Sequence, residues 1–391
     1  MTFAESDRIM THQNMKFDWS TYLAGGLLLL ASSARAQTAA VEAGSSSTGP
    51  ISGYMDFHFN KAEAEDGVLD FHRFVLIVNH SFSPRIRFVA ELELEHAFVE
   101  GLEEAGEVEL EQAYVDFLLK RSFNVRAGML LVPMGIINER HEPPVYQGVE
   151  RPFVDTVIIP STWFENGAGI HGEIGRGFRY RAYVMAPLNA LEFSAAEGIR
   201  NGRQKGSRSD VRNVAYTGRA EYVGVPGLTL AASAWSGKSS FLAPQLDVQV
   251  RIGEADVRYK RDRLELRGEF AQVSIGDAER LNAIAGQLTG VSPNIARALR
   301  GFYAEGAYRV WAQGPGRDLV GFVRYENFDT QFRMPAGFLP LKQFDRDAWV
   351  AGATYYPDPD IAVKVDYVWQ RSLSSVITAP NSLNIGIGWW F

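Results

Sequence analysis

The sequence predicts an all-β protein, a transmembrane antiparallel up-and-down β-barrel of about 16 strands. Three observations predict it. The last nine residues, Trp390 apart, alternate between two faces. Short turns and long connections alternate along the whole chain. The N-terminal segment has the layout of an export signal.

The chain has 391 residues, a net charge of −7 and no cysteine. The length fits one large barrel or two ordinary domains. The acidic balance argues against nucleic-acid binding. Without cysteine there is neither a disulfide framework nor a thiolate site. Many aromatics and 37 glycines fit a barrel whose apolar wall is diluted by a polar interior.

Residues 1–36 read as a cleaved signal peptide. Lys16 precedes an apolar run over 22–31, and Ala34 and Ala36 supply small residues before a cleavage point at Gln37. The run is too short to span a bilayer as a helix. Glu5, Asp7 and Arg8 are out of place in such a segment, so Met15 is the more orthodox start. Residues 37–50, rich in Ala, Gly, Ser and Thr, read as a flexible linker, and the barrel is placed at 51–391.

Beyond Pro50 the chain reads as strands. Ile86, Phe88, Ala90, Leu92 and Leu94 alternate with Arg87, Val89, Glu91, Glu93 and Glu95, which makes one face apolar. Ala113, Val115, Phe117 and Leu119 alternate with Gln112, Tyr114 and Asp116. Phe178, Tyr180, Ala182 and Val184 alternate with Arg179, Arg181 and Tyr183. Val363, Val365, Tyr367 and Trp369 alternate with Lys364, Asp366 and Gln370. The last strand sets Leu383, Ile385, Ile387, Trp389 and Phe391 against Asn384, Gly386 and Gly388, with Trp390 the exception. Such a terminus suits a closing strand with lipid on one side and a lumen on the other.

Turns are expected at 81–84, 120–122, 175–177, 224–227, 260–263, 313–316 and 357–360. Longer connections are expected near 60–67, 97–107, 132–166, 187–212, 238–246, 276–300, 329–346 and 372–381. Within one of them, Leu281, Ile284, Ala285 and Leu288 recur at helical spacing, and Ser292-Pro293 resembles a second helix start before Ile295–Leu299. Tyr54, Tyr222, Trp235, Tyr259, Trp311, Tyr355, Tyr356 and Trp369 lie near strand ends, where interfacial aromatics are expected.

Parity places Arg126, Arg179, Arg181, Arg219, Arg267 and Arg324 on the lumen side. Inward arginines would gather anions, unless carboxylates such as Glu221, Glu269 and Glu326 neutralise them. Glu91, Glu93 and Glu95 belong to a run of nine glutamates over 91–111 without Lys or Arg, an acidic wall and rim suited to cations. The longest connection, 132–166, holds Arg140, His141, Glu142 and Arg151 and is stiffened by Pro143, Pro144, Pro152 and Pro160. A stiff long loop at this place suits a pore constriction. The 187–212 connection carries Arg200, Arg203, Lys205, Arg208 and Arg212, a basic surface for anions or lipopolysaccharide phosphates.

Enzymatic signatures are poor. His141-Glu142 is followed by two prolines, so a helical two-histidine zinc motif cannot form, and no nucleophile elbow or phosphate loop occurs. No catalytic residue, metal site or cofactor is assigned.

Four stretches resemble the phosphate-selective porin O and P family: His72–Leu76 through Arg85–Phe88 with Glu91–His96, Glu111–Phe117, Leu131–Pro144 and Val157–Gly169. The resemblance is dense over 71–170 and thins to strand pattern and terminal Phe391 afterwards. It implies a 16-stranded, homotrimeric outer-membrane channel whose third outer loop lines the constriction. It also implies basic residues there, yet no lysine occurs between Lys120 and Lys205, and residues 132–166 carry five acids against two arginines. The expected function is passive diffusion of small hydrophilic solutes across the bacterial outer membrane, with anions such as phosphate among the candidates and lipid and lipopolysaccharide as surroundings. The alternative is a non-conducting barrel serving as an outer-membrane enzyme or surface-binding protein.

Overall fold

The computed structural model describes residues 49–97, 106–239, 247–313 and 316–391; the signal-peptide reading and nearly all of the linker lie outside them. Sixteen strands follow one another: β1 Ile51–Ala62, β2 Val68–Ser83, β3 Ile86–Glu95, β4 Glu107–Lys120, β5 Phe123–Leu131, β6 Phe164–Ile174, β7 Phe178–Met185 and β8 Ala215–Val225. Then come β9 Leu228–Ser239, β10 Val248–Arg261, β11 Leu264–Ile275, β12 Ala298–Ala312, β13 Asp318–Arg333, β14 Asp345–Asp358, β15 Ile361–Ser372 and β16 Ser382–Trp390. Each strand pairs with its sequence neighbours, and β16 pairs with β1 to close the barrel. Closure satisfies every strand edge, which a bilayer demands because it offers the backbone no water.

The seam is tight. Phe391 donates its backbone N–H to Gly53 O at 2.9 Å, and Gly53 N donates back to Phe391 O at 3.0 Å. The Phe391 ring stacks on Phe74, centroids 5.8 Å apart. A Cβ at Gly53 would stand 2.2 Å from Val75 O and 2.6 Å from the Phe391 ring, so only glycine lets these segments meet.

All strand connections at one end of the barrel are short, and the longer ones gather at the other. The outer wall carries Leu264, Leu266, Phe270, Val323, Val363, Val365 and Ile385, all exposed. Aromatics flank this band. Phe178 with Tyr222 and Trp311 with Tyr355 lie toward the turn end; Tyr325 with Trp349 and Tyr367 with Trp369 lie toward the loop end. Tyr54, Trp235 and Tyr356 depart from the interfacial expectation: the first two are inward and buried, and Tyr356 faces Gln147 of the inner loop. Tyr54 packs against Trp390 and Trp235 against Trp163, because the lumen contains apolar chain for them to cover.

The two faces of several strands exchange character near the loop end. On β10, Val248, Val250 and Ile252 point inward and are buried, whereas Gln249 and Arg251 point outward. Farther toward the turns the same strand turns Glu254 and Asp256 inward and Val257 outward. On β11, Val273 and Ile275 are buried inward while Ser274 is exposed. This inversion is what a wall rising from lipid into water around an apolar core requires.

Helix α1, Ala278–Thr289, covers part of that core with Leu281 and Ala285. The second expected helix, at Ile295–Leu299, does not form. Asn282 clamps Ile295 by both its amide nitrogen and oxygen, at 2.8 and 2.6 Å, and Ala298 already begins β12. Ladder pairing with β11 and β13 gives this segment its hydrogen bonds.

Candidate functional site

Residues 132–163, between β5 and β6, lie inside the barrel. Asn138 organises the entry to this loop. Its amide nitrogen donates to Val132 O at 2.7 Å and Trp163 O at 2.9 Å, while its oxygen accepts from Trp163 N at 2.7 Å. One side chain therefore ties the two ends of the loop together. Pro143 and Pro144 start a short helical turn, Pro143–Val145, and a wider one follows at Val154–Ile158.

The loop is bonded around much of the wall. Ile136 N donates to Glu269 on β11 at 3.2 Å, Val154 N to Glu326 on β13 at 3.1 Å, and Val149 N to Asp366 on β15 at 2.6 Å. Cationic wall groups take its carbonyls: Arg267 binds Val145 O at 2.9 Å, Arg324 binds Gln147 O at 3.2 Å, and Lys364 binds Tyr146 O and Gly148 O at 2.9 and 2.7 Å. Thr354 on β14 donates to the Gln147 side chain at 3.0 Å. Glu150 meets His58 and Asn60 of β1, and Glu139 pairs with Arg181 of β7. Gly148 holds φ at +84°, a backbone state that suits glycine and presents its carbonyl to Lys364.

Apolar packing completes the fit. Met134, Ile137, Val154, Ile158, Ile159 and Trp163 are buried against the inward Val250, Val273, Leu299 and Phe328. Each fully buried side chain of this size contributes roughly 1.5–3 kcal/mol. Sequence parity pointed to a polar lumen, but the half near the loop end is a hydrophobic core shared between loop and wall.

Two cavities flank this chain. One of about 450 Å³ lies toward the turns, lined by Val145, Gln147, Glu265, Arg267, Arg309 and Tyr356 among others. The other, about 300 Å³, lies toward the loops, lined by Asn60, Glu150, Arg151, Phe153, Arg324 and Asn384 among others. Residues 145–153 contribute to both.

The arginines singled out from parity occur as ion pairs, Arg179 apart. Arg126 makes a two-pronged bond to Asp116 at 2.7 and 2.8 Å. Arg181 meets Glu221, Arg219 meets Glu221, Glu254 and Asp256, Arg267 meets Glu265 and Glu305, and Arg324 meets Glu305 and Glu326. Arg179 forms no ion pair among the described residues. Glu269 serves the loop backbone instead of an arginine. The other five arginines thus each have a carboxylate partner in place. Glu93 and Glu95 pair with Arg73, and Glu91 accepts from Gln112.

Of the loop residues, His141 is buried between Asn138 O and Glu111, and Arg151 donates to His141 O at 3.2 Å. Burial pushes the Glu142 carboxyl up, against the opposing pull of His141. Burial and the like charge of Arg258 push Arg140 below its ordinary range. Asp155 stands well above the usual carboxylate range, first through burial and then through Glu326, Glu254 and Asp256.

The basic 187–212 connection is directed inward more than its charge suggested. Arg203 donates to Ser161 O and Thr162 O at 2.7 and 2.9 Å, and Arg200 to Thr156 O at 3.2 Å. Burial, with Arg203 and Arg151 nearby, lowers Arg200 to about 10. Lys205 pairs with Glu107 and Glu109 of the acidic run. The connection thus caps the inner loop. Lys364, Thr354, Asp366 and Asn138 had no distinguishing local motif; inward parity was the only sign of the first three.

The chain is 33% identical over 327 residues to an uncharacterized protein of Aquifex aeolicus, covering 81% of this chain and 74% of that protein. No protein-family model matches it, so the resemblance to phosphate-selective porins rests on the four stretches quoted above. Among solved structures, Salmonella typhi OmpF aligns with a TM-score of 0.60 at 13% identity, covering 87% of this chain and 97% of that one. The outer-membrane channel DcaP of Acinetobacter baumannii aligns at 0.59 and 12% identity, covering 87% and 96%. At such identities the likeness is one of fold, the porin-type barrel.

Proposed function

The chain belongs to the same family as the Aquifex aeolicus protein, and from its porin-type barrel we propose an outer-membrane porin for small hydrophilic solutes. The turns would face the periplasm and the longer loops the exterior. The observation that carries this reading is the inner loop with a cavity on either side of it, within a wall whose outer face is apolar between two sets of aromatics. Residues 145–153 are the natural constriction. Because the lumen arginines are held by carboxylates, we expect little preference for phosphate or other anions.

Planar bilayers test the reading. Purified protein should give stepwise conductance, and silence at all voltages would sink the channel. Reversal potential under a salt gradient gives selectivity; a strongly anion-selective value would restore the phosphate-porin specialisation. Chemical cross-linking in detergent tests the homotrimer that the family resemblance implies.

A second reading is favoured by one observation. The inner loop is bonded to β11, β13, β14 and β15 and to β1 and β7, which fits a barrel that is closed at rest. A non-conducting barrel would bind a ligand at the loop end instead of passing it. Silent bilayers together with saturable ligand binding would select that alternative.

A further inference from the structure

His141 lies on the inner loop, and Glu91 and Glu111 lie on neighbouring strands β3 and β4. All three side chains are buried, with exposures of 2%, 2% and 0%. His141 Nδ1 is 3.1 Å from Asn138 O, a group that can only accept, so Nδ1 carries a hydrogen and donates it. Nε2 of the same ring faces Glu111 Oε2 at 3.0 Å and Glu91 Oε1 at 3.8 Å.

A neutral imidazole would therefore aim a lone pair at two carboxylates. Neither Glu91 nor Glu111 has a lysine or arginine partner among the described residues. Arg73 is committed to Asp56, Glu93 and Glu95, and Lys205 to Glu107 and Glu109. Glu111 Oε1, fully buried, has no N–H or hydroxyl donor among the described residues. One proton on Nε2 would answer one of the two carboxylate charges and leave the pair short of a second cation, with only the Gln112 amide on Glu91.

We propose that His141, Glu91 and Glu111 bind a divalent transition-metal ion, with zinc the best match, that fastens the inner loop to the barrel wall. One imidazole with two carboxylates is a donor set for zinc and its neighbours more than for magnesium or calcium, which prefer oxygen alone. Ligand atoms about 2.0–2.1 Å from a tetrahedral ion stand about 3.3 Å from one another. The two distances from Nε2 bracket that value, and the three ligand atoms lie within 4.8 Å of one another. The Nδ1–H bond to Asn138 O is the outer contact that fixes the tautomer a metal-binding histidine needs. Asp56, His58 and His72 form another close group, but there the Arg73 guanidinium, 3.4 Å from Asp56, already supplies the positive charge.

The test uses the full-length protein in detergent, stripped with chelator and dialysed against zinc chloride. Bound metal is measured by mass spectrometry, and unfolding is followed by circular dichroism with and without zinc. Wild type should retain one zinc per chain and unfold at a higher temperature when zinc is present. Glu111→Gln, nearly isosteric, should lose more than about tenfold in zinc affinity and all of the zinc-dependent shift. His141→Ala should do the same; Glu111→Gln decides the matter if the alanine variant does not fold. Equal zinc retention by wild type and Glu111→Gln overturns the site. So does a wild type that binds no zinc. Both outcomes are independent of whether the barrel conducts.

Discussion

Lys364 and Gly148 are joined across the lumen: the lysine Nζ on β15 stands 2.7 Å from the carbonyl oxygen of the inner-loop glycine. The same ammonium binds Tyr146 O at 2.9 Å and sits 4.0 Å from the centre of the Tyr146 ring. This one wall cation gathers three features of the segment that separates the two cavities. Lys364→Met keeps the length and removes the donors. Hydrogen bonds to a charged group contribute roughly 1.5–3 kcal/mol each, so residues 145–150 should loosen while the barrel stays closed. Single-channel conductance in bilayers should rise and become noisier; an unchanged trace would show that this segment does not limit the pore.

Asp155 makes the inner loop sensitive to pH. No lysine or arginine pairs with its carboxylate among the described residues, and the backbone of Ile137 is the one group that pulls against the shift. Burial, then Glu326, Glu254 and Asp256, holds the group well above the usual range, so the folded protein keeps a proton that the unfolded chain releases near its ordinary value of about 3.9. A raised carboxyl favours the folded state fully below the unfolded value, and that contribution is lost as pH rises through the folded value. Asp155→Asn removes the dependence. Protease resistance of the loop should fall as pH rises above the ordinary carboxylate range in wild type and fall less in the variant. Parallel pH profiles would reject this assignment.

Arg219 is the hub of a buried network, with Glu221 at 3.0 Å and Glu254 at 3.2 Å beside Asp256. Arg219→Leu leaves carboxylates buried without their cation. Breaking such a network from one side costs about 3–5 kcal/mol, so the urea midpoint in detergent should drop clearly. Adding Glu254→Gln and Asp256→Asn should return much of the loss, and a triple variant no better than the single one would contradict the network reading.

At the seam, Gly53→Ala forces a Cβ into the Val75 carbonyl and the Phe391 ring. The expected result is a several-fold lower yield of the compact, heat-modifiable form on gels. Phe391→Ala should be milder, because it removes the stacking on Phe74 but keeps the two backbone bonds to Gly53.

Much of this architecture was legible along the chain. Strand β3 declares itself through Phe88, Ala90, Leu92 and Leu94, and the seven turns lie where the punctuation by Gly, Pro and charged residues put them. Alternation is a local property with a period of two, so it survives in a single sequence. The inner loop was legible as a long, proline-stiffened segment but not as a structure bonded around the wall. Ile295–Leu299 misled for the reciprocal reason: a start signal and apolar residues suggested helix, while Asn282 and the neighbouring strands decided otherwise.

The sequence by itself determined an up-and-down barrel, its strand parity and the placement of its turns, because these follow from interactions between near neighbours. Tertiary structure decided what lies within. Lys364, Arg324 and Glu269 each bond to a loop more than a hundred residues away. The meeting of His141 with Glu91 and Glu111 needs that loop to fold inward. Parity shows which side of the wall a residue faces. Only the path of the loop settles whether it finds water, an ion pair or a hydrophobic core there, because contacts between distant segments carry no periodic mark in the sequence.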